Sequence, residues 1–113
     1  MHYEKLNKGW IGFDLDGTLA VDLPIRKSQI EIGPPIPKMV DKVRMYIAAG
    51  RAVRLFTARA FQMTGEEERA ITEWLIEHVG VALPITCMKD GDLLYFYDDK
   101  AIQVIANRGE TVI

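Results

Sequence analysis

Trp10-Ile11-Gly12-Phe13-Asp14-Leu15-Asp16-Gly17-Thr18-Leu19 is the stretch on which the fold turns. Its first half is a short, mostly apolar run, and it stops at Asp16-Gly17, a dipeptide that favours a turn. A buried strand running into a loop accounts for both halves. That strand also carries two carboxylates, Asp14 and Asp16, to the point where it ends.

Working outward, residues 18–35 contain Pro24, Gly33 and the Pro34-Pro35 pair. These break any helix, so a loop or flap of irregular or hairpin character is expected. Ile36, Val40, Val43 and Ile47 then recur at spacings of four, three and four, which places them on one helical face. Pro37 falls in the first turn of that helix, where its missing N–H is no loss, and Gly50 supplies the C-cap. Ala52-Val53-Arg54-Leu55-Phe56-Thr57 reads as a second strand. Thr64 with Glu67 makes a capping box, and Ile71, Trp74, Leu75, His78 and Val79 continue a second helix until Gly80.

Pro84-Ile85-Thr86-Cys87 reads as a short third strand, and residues 93–97 as a fourth, stopped by Asp98-Asp99. Residues 102–105 and 111–113 read as two further strands around a turn at Asn107-Arg108-Gly109, with a short helix after Asp99 as the alternative. Strand, helix, strand, helix, strand is the pattern of an α/β fold: a mostly parallel central sheet covered by helices. In such sheets the ligand site lies at the carboxyl ends of the strands. The polar residues fall there: Asp14 and Asp16 after the first strand, Thr57 at the end of the second, Lys89 after the third, Asp98 and Asp99 after the fourth.

At 113 residues the chain has room for one domain, residues 1–113, and no second core. A formal net charge of −2 gives no global attraction to nucleic acid or anionic membrane, though a local basic patch could still serve. No apolar run is long enough for a membrane span. The N-terminal residues lack the apolar stretch of a secretory signal. The single cysteine, Cys87, excludes an internal disulfide and suits a reducing compartment. A cytoplasmic enzyme is expected.

Four carboxylates, a hydroxyl and the cations Arg59 and Lys89 meet at that sheet edge. Crowded carboxylates raise one another's pKa unless a cation neutralises them. A hard divalent ion with oxygen ligands does so, and Mg²⁺ takes one or two carboxylates together with waters and phosphate oxygens. A carboxylate can also attack phosphorus. Two aspartates at i and i+2 let one attack while the other handles protons near the leaving oxygen.

Phe13-Asp14-Leu15-Asp16-Gly17-Thr18-Leu19 resembles the first signature of the haloacid dehalogenase-like superfamily of phosphohydrolases. Leu55-Phe56-Thr57, Lys89 and Tyr97-Asp98-Asp99 are similar to its second, third and fourth signatures, in the right order. The resemblance spans roughly residues 10 to 105. It implies a three-layer Rossmann-like domain and Mg²⁺-dependent phosphomonoester hydrolysis through an aspartyl-phosphate. Asp14 would be the nucleophile and a metal ligand. Asp16 would be the general acid and base, with its backbone carbonyl on the metal. Thr57 would hydrogen-bond the phosphoryl group, Lys89 would steady nucleophile and phosphoryl oxygens, and Asp98 and Asp99 would anchor the ion, Asp99 more closely. Retention of the acid at position 16 argues for a phosphate ester over a carbon–halogen bond.

The gaps after the first strand and before Lys89 are too short for a cap domain, so a capless member with an open site is implied. Thr57-Ala58-Arg59 and Asp98-Asp99-Lys100-Ala101 are also similar to the phosphatase lobe of polynucleotide kinase-phosphatase proteins, which implies that Thr57, Ala58 and Arg59 bind substrate phosphate. No kinase lobe or phosphate-cradling Gly-rich loop is present. The substrate would be a phosphorylated small metabolite, a nucleotide or a nucleic-acid end, with positioning completed by a partner subunit in a homo-oligomer. A phosphotransferase acting on an acceptor other than water, and a non-catalytic phosphate-binding module, are the alternatives. His78 reads as a packed helix residue and Glu66-Glu67-Glu68 as helix-dipole partners. Arg26-Lys27 reads as a solvated flap segment, and Cys87 as a small buried residue.

Overall fold

In the computed structural model, which describes residues 9–113, the decisive stretch forms β1 (Trp10–Phe13), and all four of its residues are buried. Its apolar run has partners on both sides, as central parallel strands do. α1 (Pro37–Ala48) begins with the proline in its first turn and ends before Gly50, which takes φ +77, a left-handed conformation open to glycine. β2 (Ala52–Phe56) follows, then a single 3-10 turn (Ala58–Ala60) capped by the Thr57 hydroxyl. α2 (Gly65–His78) starts at the expected capping box, in which Thr64 and Glu67 satisfy each other's backbone N–H groups. β3 (Ile85–Thr86) and β4 (Leu93–Tyr97) complete the main sheet. β5 (Val104–Ile105) and β6 (Glu110–Thr111) form a separate antiparallel hairpin, so the hairpin prevails over the alternative helix.

The main sheet is parallel, in the order β3-β2-β1-β4. The chain steps from β1 to β2 to β3 in one direction, each time through a helix. Such crossovers are right-handed, which sends both helices to the same face. The core agrees: Ile11, Phe13, Val53 and Leu55 share that face and cluster with Val40 and Val43 of α1 and with Ile71, Trp74 and Leu75 of α2. Burying a side chain such as Leu55 there contributes on the order of 2 kcal/mol. Arg44 of α1 ties the helices together by donating to the carbonyl of Val79, just past α2.

The last step reverses direction and reaches the far side of β1 through residues 87–92 alone. This strap crosses the second face of the sheet. The Trp10 indole donates to Asp90 at 2.8 Å, the Arg54 guanidinium lies 4.5 Å from the Trp10 ring centroid, and Phe56 meets Phe96 edge-on at 4.7 Å. A connection this short has no room for a helix. Among the described residues the result is one helical layer, one sheet and a strap. This is a compact α/β domain, and among the described residues no helix covers the face that the strap crosses. No helix among the described residues is long and apolar enough to cross a membrane.

Residues 18–35 contain no regular element, only single bridges from Ala20 to Asp16 and to Pro35. Their neck is closed by Val21 N–H on the Pro34 carbonyl at 2.8 Å and Ile36 N–H on the Leu19 carbonyl at 2.7 Å. The Trp74 indole donates to the Gly33 carbonyl at 3.0 Å and fixes the base of the flap to the core.

Candidate active site at the carboxyl edge of the sheet

The reversal of direction between β2 and β4 makes the end of β1 a switch point, where neighbouring connections diverge and leave a crevice. Asp14 stands at that point. Its N–H donates to the Tyr97 carbonyl at 2.9 Å, so the ladder runs one residue past β1 and carries Asp14 alongside Asp98. Thr57 N–H does the same with the Thr86 carbonyl at 2.9 Å.

Carboxylate oxygens of Asp14, Asp98 and Asp99 all lie within 4.8 Å of one another. The Asp14 carboxyl is pushed up to about 7, first by its burial, then by its hydrogen bond with Asp99 and the negative charge of Asp98; the Leu15 N–H offsets part of this. Asp99 is held by Thr18, whose hydroxyl donates to Asp99 Oδ1 at 3.2 Å and accepts from Asp99 N–H at 3.1 Å. Gly17, at φ +90, passes so close that a Cβ would lie 2.5 Å from Asp99 Oδ2. Three oxygen donors crowded in this way, one of them forced toward its neutral form, fit a hard divalent cation.

The Asp16 carboxylate does not join the three. Arg59 takes it in a two-pronged grip, Nε to Oδ2 at 2.8 Å and Nη2 to Oδ1 at 2.7 Å, with Arg26 3.4 Å away. Arg59 also donates to the flap carbonyls of Gln29 at 3.1 Å and Glu31 at 3.0 Å. One guanidinium therefore joins Asp16 to the flap, which is a wider role than the phosphate contact expected from the sequence.

A cavity of about 590 Å³ opens on this edge. Asp14, Asp16, Thr57, Ala58, Arg59 and Asp98 line it, so six of the eight expected site residues share one space. Asp99 lies behind Asp98, in contact with Asp14 as described. Lys89 is exposed and not part of the lining; its ammonium sits 5.4 Å from the Phe96 ring centroid. A different lysine, Lys100, is in the lining, directly after the acidic pair, and its N–H donates to Asp98 Oδ1 at 2.9 Å.

Sequence reasoning missed Thr18, Lys100 and the pair Phe56 and Phe96, which also line the cavity or hold its acids. Thr18 and Lys100 each lay inside a quoted motif, and adjacency to an assigned aspartate was the signal available. The two phenylalanines read as strand interior, and nothing along the chain marks them as cavity wall. The chain matches no protein-family model, no curated protein and no solved structure.

Proposed function

We propose that this chain is a Mg²⁺-dependent phosphomonoesterase, a capless haloacid dehalogenase-like domain on a Rossmann-like plan whose described residues cover one face of the sheet with helices and the other with a strap. The observation that carries this is the meeting of Asp14 with Asp98 and Asp99 at adjacent strand ends, beside a cavity lined by Thr57, Arg59 and Lys100. Asp14, Asp98 and Asp99, with the Asp16 backbone carbonyl, would hold the ion. When bound, the ion supplies charge neutralisation to the carboxylates and to a substrate phosphate.

An Asp14 oxygen attacks phosphorus, the bond to the leaving oxygen breaks, and Asp16 gives that oxygen its proton. Water then attacks the aspartyl-phosphate at phosphorus, Asp16 takes a proton back, and inorganic phosphate leaves. The Thr57 hydroxyl donates to an equatorial oxygen, while Arg59 and Lys100 balance its charge, the part that the sequence assigned to Lys89. Both oxygens of Asp16 are occupied by Arg59, so a protonated Asp16 requires Arg59 to turn from it toward the phosphoryl group. A cytoplasmic setting suits the free thiol of Cys87 on the cavity wall. The substrate is a soluble phosphorylated small molecule, nucleotide or nucleic-acid end.

Turnover of phenyl phosphate with Mg²⁺ tests the assignment. Activity is expected to vanish with EDTA and to fall at least about a thousandfold in Asp14→Asn. Activity that survives Asp14→Asn would exclude Asp14 as nucleophile.

A further inference from the structure

We propose that the cavity selects phosphomonoesters whose leaving group carries a flat apolar ring, seated against Phe56 and Phe96; this rests on the phosphoryl chemistry assigned above to Asp14. Side chains alternate along a strand, so Asp14 projects to the same face as Trp10 and Gly12. That is the face crossed by the strap, opposite the helices. In the parallel register Phe13 stands beside Leu55, which puts Phe56 level with Asp14, and Phe96 stands beside Gly12. The apolar wall therefore begins next to the reacting carboxylate and runs back over the sheet.

Gly12 is what allows the two rings to meet across β1. A Cβ at that position would lie 3.0 Å from the Trp10 ring and 3.3 Å from Phe96 Cδ1. With no side chain between them, Phe56 and Phe96 touch edge to face at 4.7 Å, a favoured aromatic arrangement that holds both in place. Neither belongs to the core cluster on the helical face, and both are only half-buried. Their remaining surface lines the cavity together with Cys87.

The polar and charged side chains of the lining come from other positions: Thr57 and Arg59 just after β2, Asp98 and Lys100 just after β4, and Asp22, Arg26 and Gln29 on the flap, while Lys89 stands over the Phe96 ring from outside the lining. A phosphate thus has its counter-charges at one end while an apolar wall waits at the other. A polyol leaving group would set hydroxyls against the phenylalanines without partners, at a cost in desolvation. A ring would bury its surface there instead. A volume of about 590 Å³ holds a phosphate and one ring system together.

Binding of phosphonates, which resist hydrolysis, separates this from the chemistry. Calorimetric titration of the Mg²⁺-loaded chain is expected to show phenylphosphonate binding about tenfold tighter than methylphosphonate. Phe56→Ala is expected to narrow that gap to about twofold, with Phe56→Leu, which keeps bulk and guards against misfolding, in between. Nucleoside monophosphates run alongside distinguish a nucleobase from a simple aryl group as the ring. Equal affinity for the two phosphonates, or a gap unchanged in both variants, overturns the proposal. Ring-selective binding without Mg²⁺-dependent turnover would sustain it and remove the phosphohydrolase assignment. Turnover with no ring preference would do the reverse.

Discussion

Thr18 and Asp99, 81 positions apart in the chain, bind each other twice, hydroxyl to carboxylate and backbone N–H to hydroxyl. Thr18 is buried, so this pair sets the direction of the Asp99 carboxylate from inside the protein. Groups that orient a metal ligand commonly govern affinity by 10–100-fold. Thr18→Val keeps the shape and deletes both bonds, and we expect Mg²⁺ affinity about tenfold weaker or more at an unchanged fold. Thr18→Ser should restore most of it. Equal Mg²⁺ affinity in the valine variant, by titration calorimetry, would remove Thr18 from the site.

The raised pKa of Asp14 ties stability to pH. The folded chain holds a proton on Asp14 up to about 7, whereas the unfolded chain releases it near 3.8. Between those values the folded state binds more protons, so stability falls as pH rises through that window. Without a divalent ion, the melting temperature should be higher at pH 5 than at pH 8. Mg²⁺ should restore more at pH 8 than at pH 5, and Asp14→Asn should flatten the dependence. A melting temperature that climbs from pH 5 to pH 8 without added metal would contradict the carboxylate crowding described here.

Two lysines compete for one role. Lys100 lines the cavity, while Lys89 stands outside it over the Phe96 ring. Lys100→Ala is expected to lower kcat/KM about a hundredfold and Lys89→Ala by less than about tenfold. The opposite ranking would mean that Lys89 swings inward when substrate binds.

Arg59 is expected to govern the flap. Lysine cannot reproduce the two-pronged grip of a guanidinium, so Arg59→Lys should loosen Asp16 and the Gln29 and Glu31 carbonyls together. Trypsin should cut after Arg26 and Lys27 faster in this variant than in the native chain, and kcat/KM should drop about tenfold or more. Unchanged cleavage at both sites would show that the flap is held by its neck alone.

Most of the α/β plan could be read along the chain because it is written in local signals. Pro37, Gly50 and the Thr64–Glu67 box mark helix ends through backbone chemistry that needs no tertiary partner. The acids at residues 14, 98 and 99 were legible because each follows an apolar strand directly. That residues 87–92 have no room for a helix is legible in their number, whereas the face of the sheet they cross follows from strand order. The flap contacts of Arg59 were hidden for a similar reason. Its partners on the flap, Gln29 and Glu31, carry no sequence mark, since it binds their carbonyls. The wall formed by Phe56 and Phe96 appears only once two strands are aligned on either side of Gly12.

β1 lies at the centre of the sheet, bonded on both sides and buried along its whole length. Segments of this kind open last, and irregular surface segments open first. Asp14 is thus mounted on a central buried strand, whereas Asp22, Arg26 and Gln29 belong to an irregular surface segment. Changes in the flap can therefore reshape the outer lining of the cavity while leaving the Asp14 carboxylate where it is.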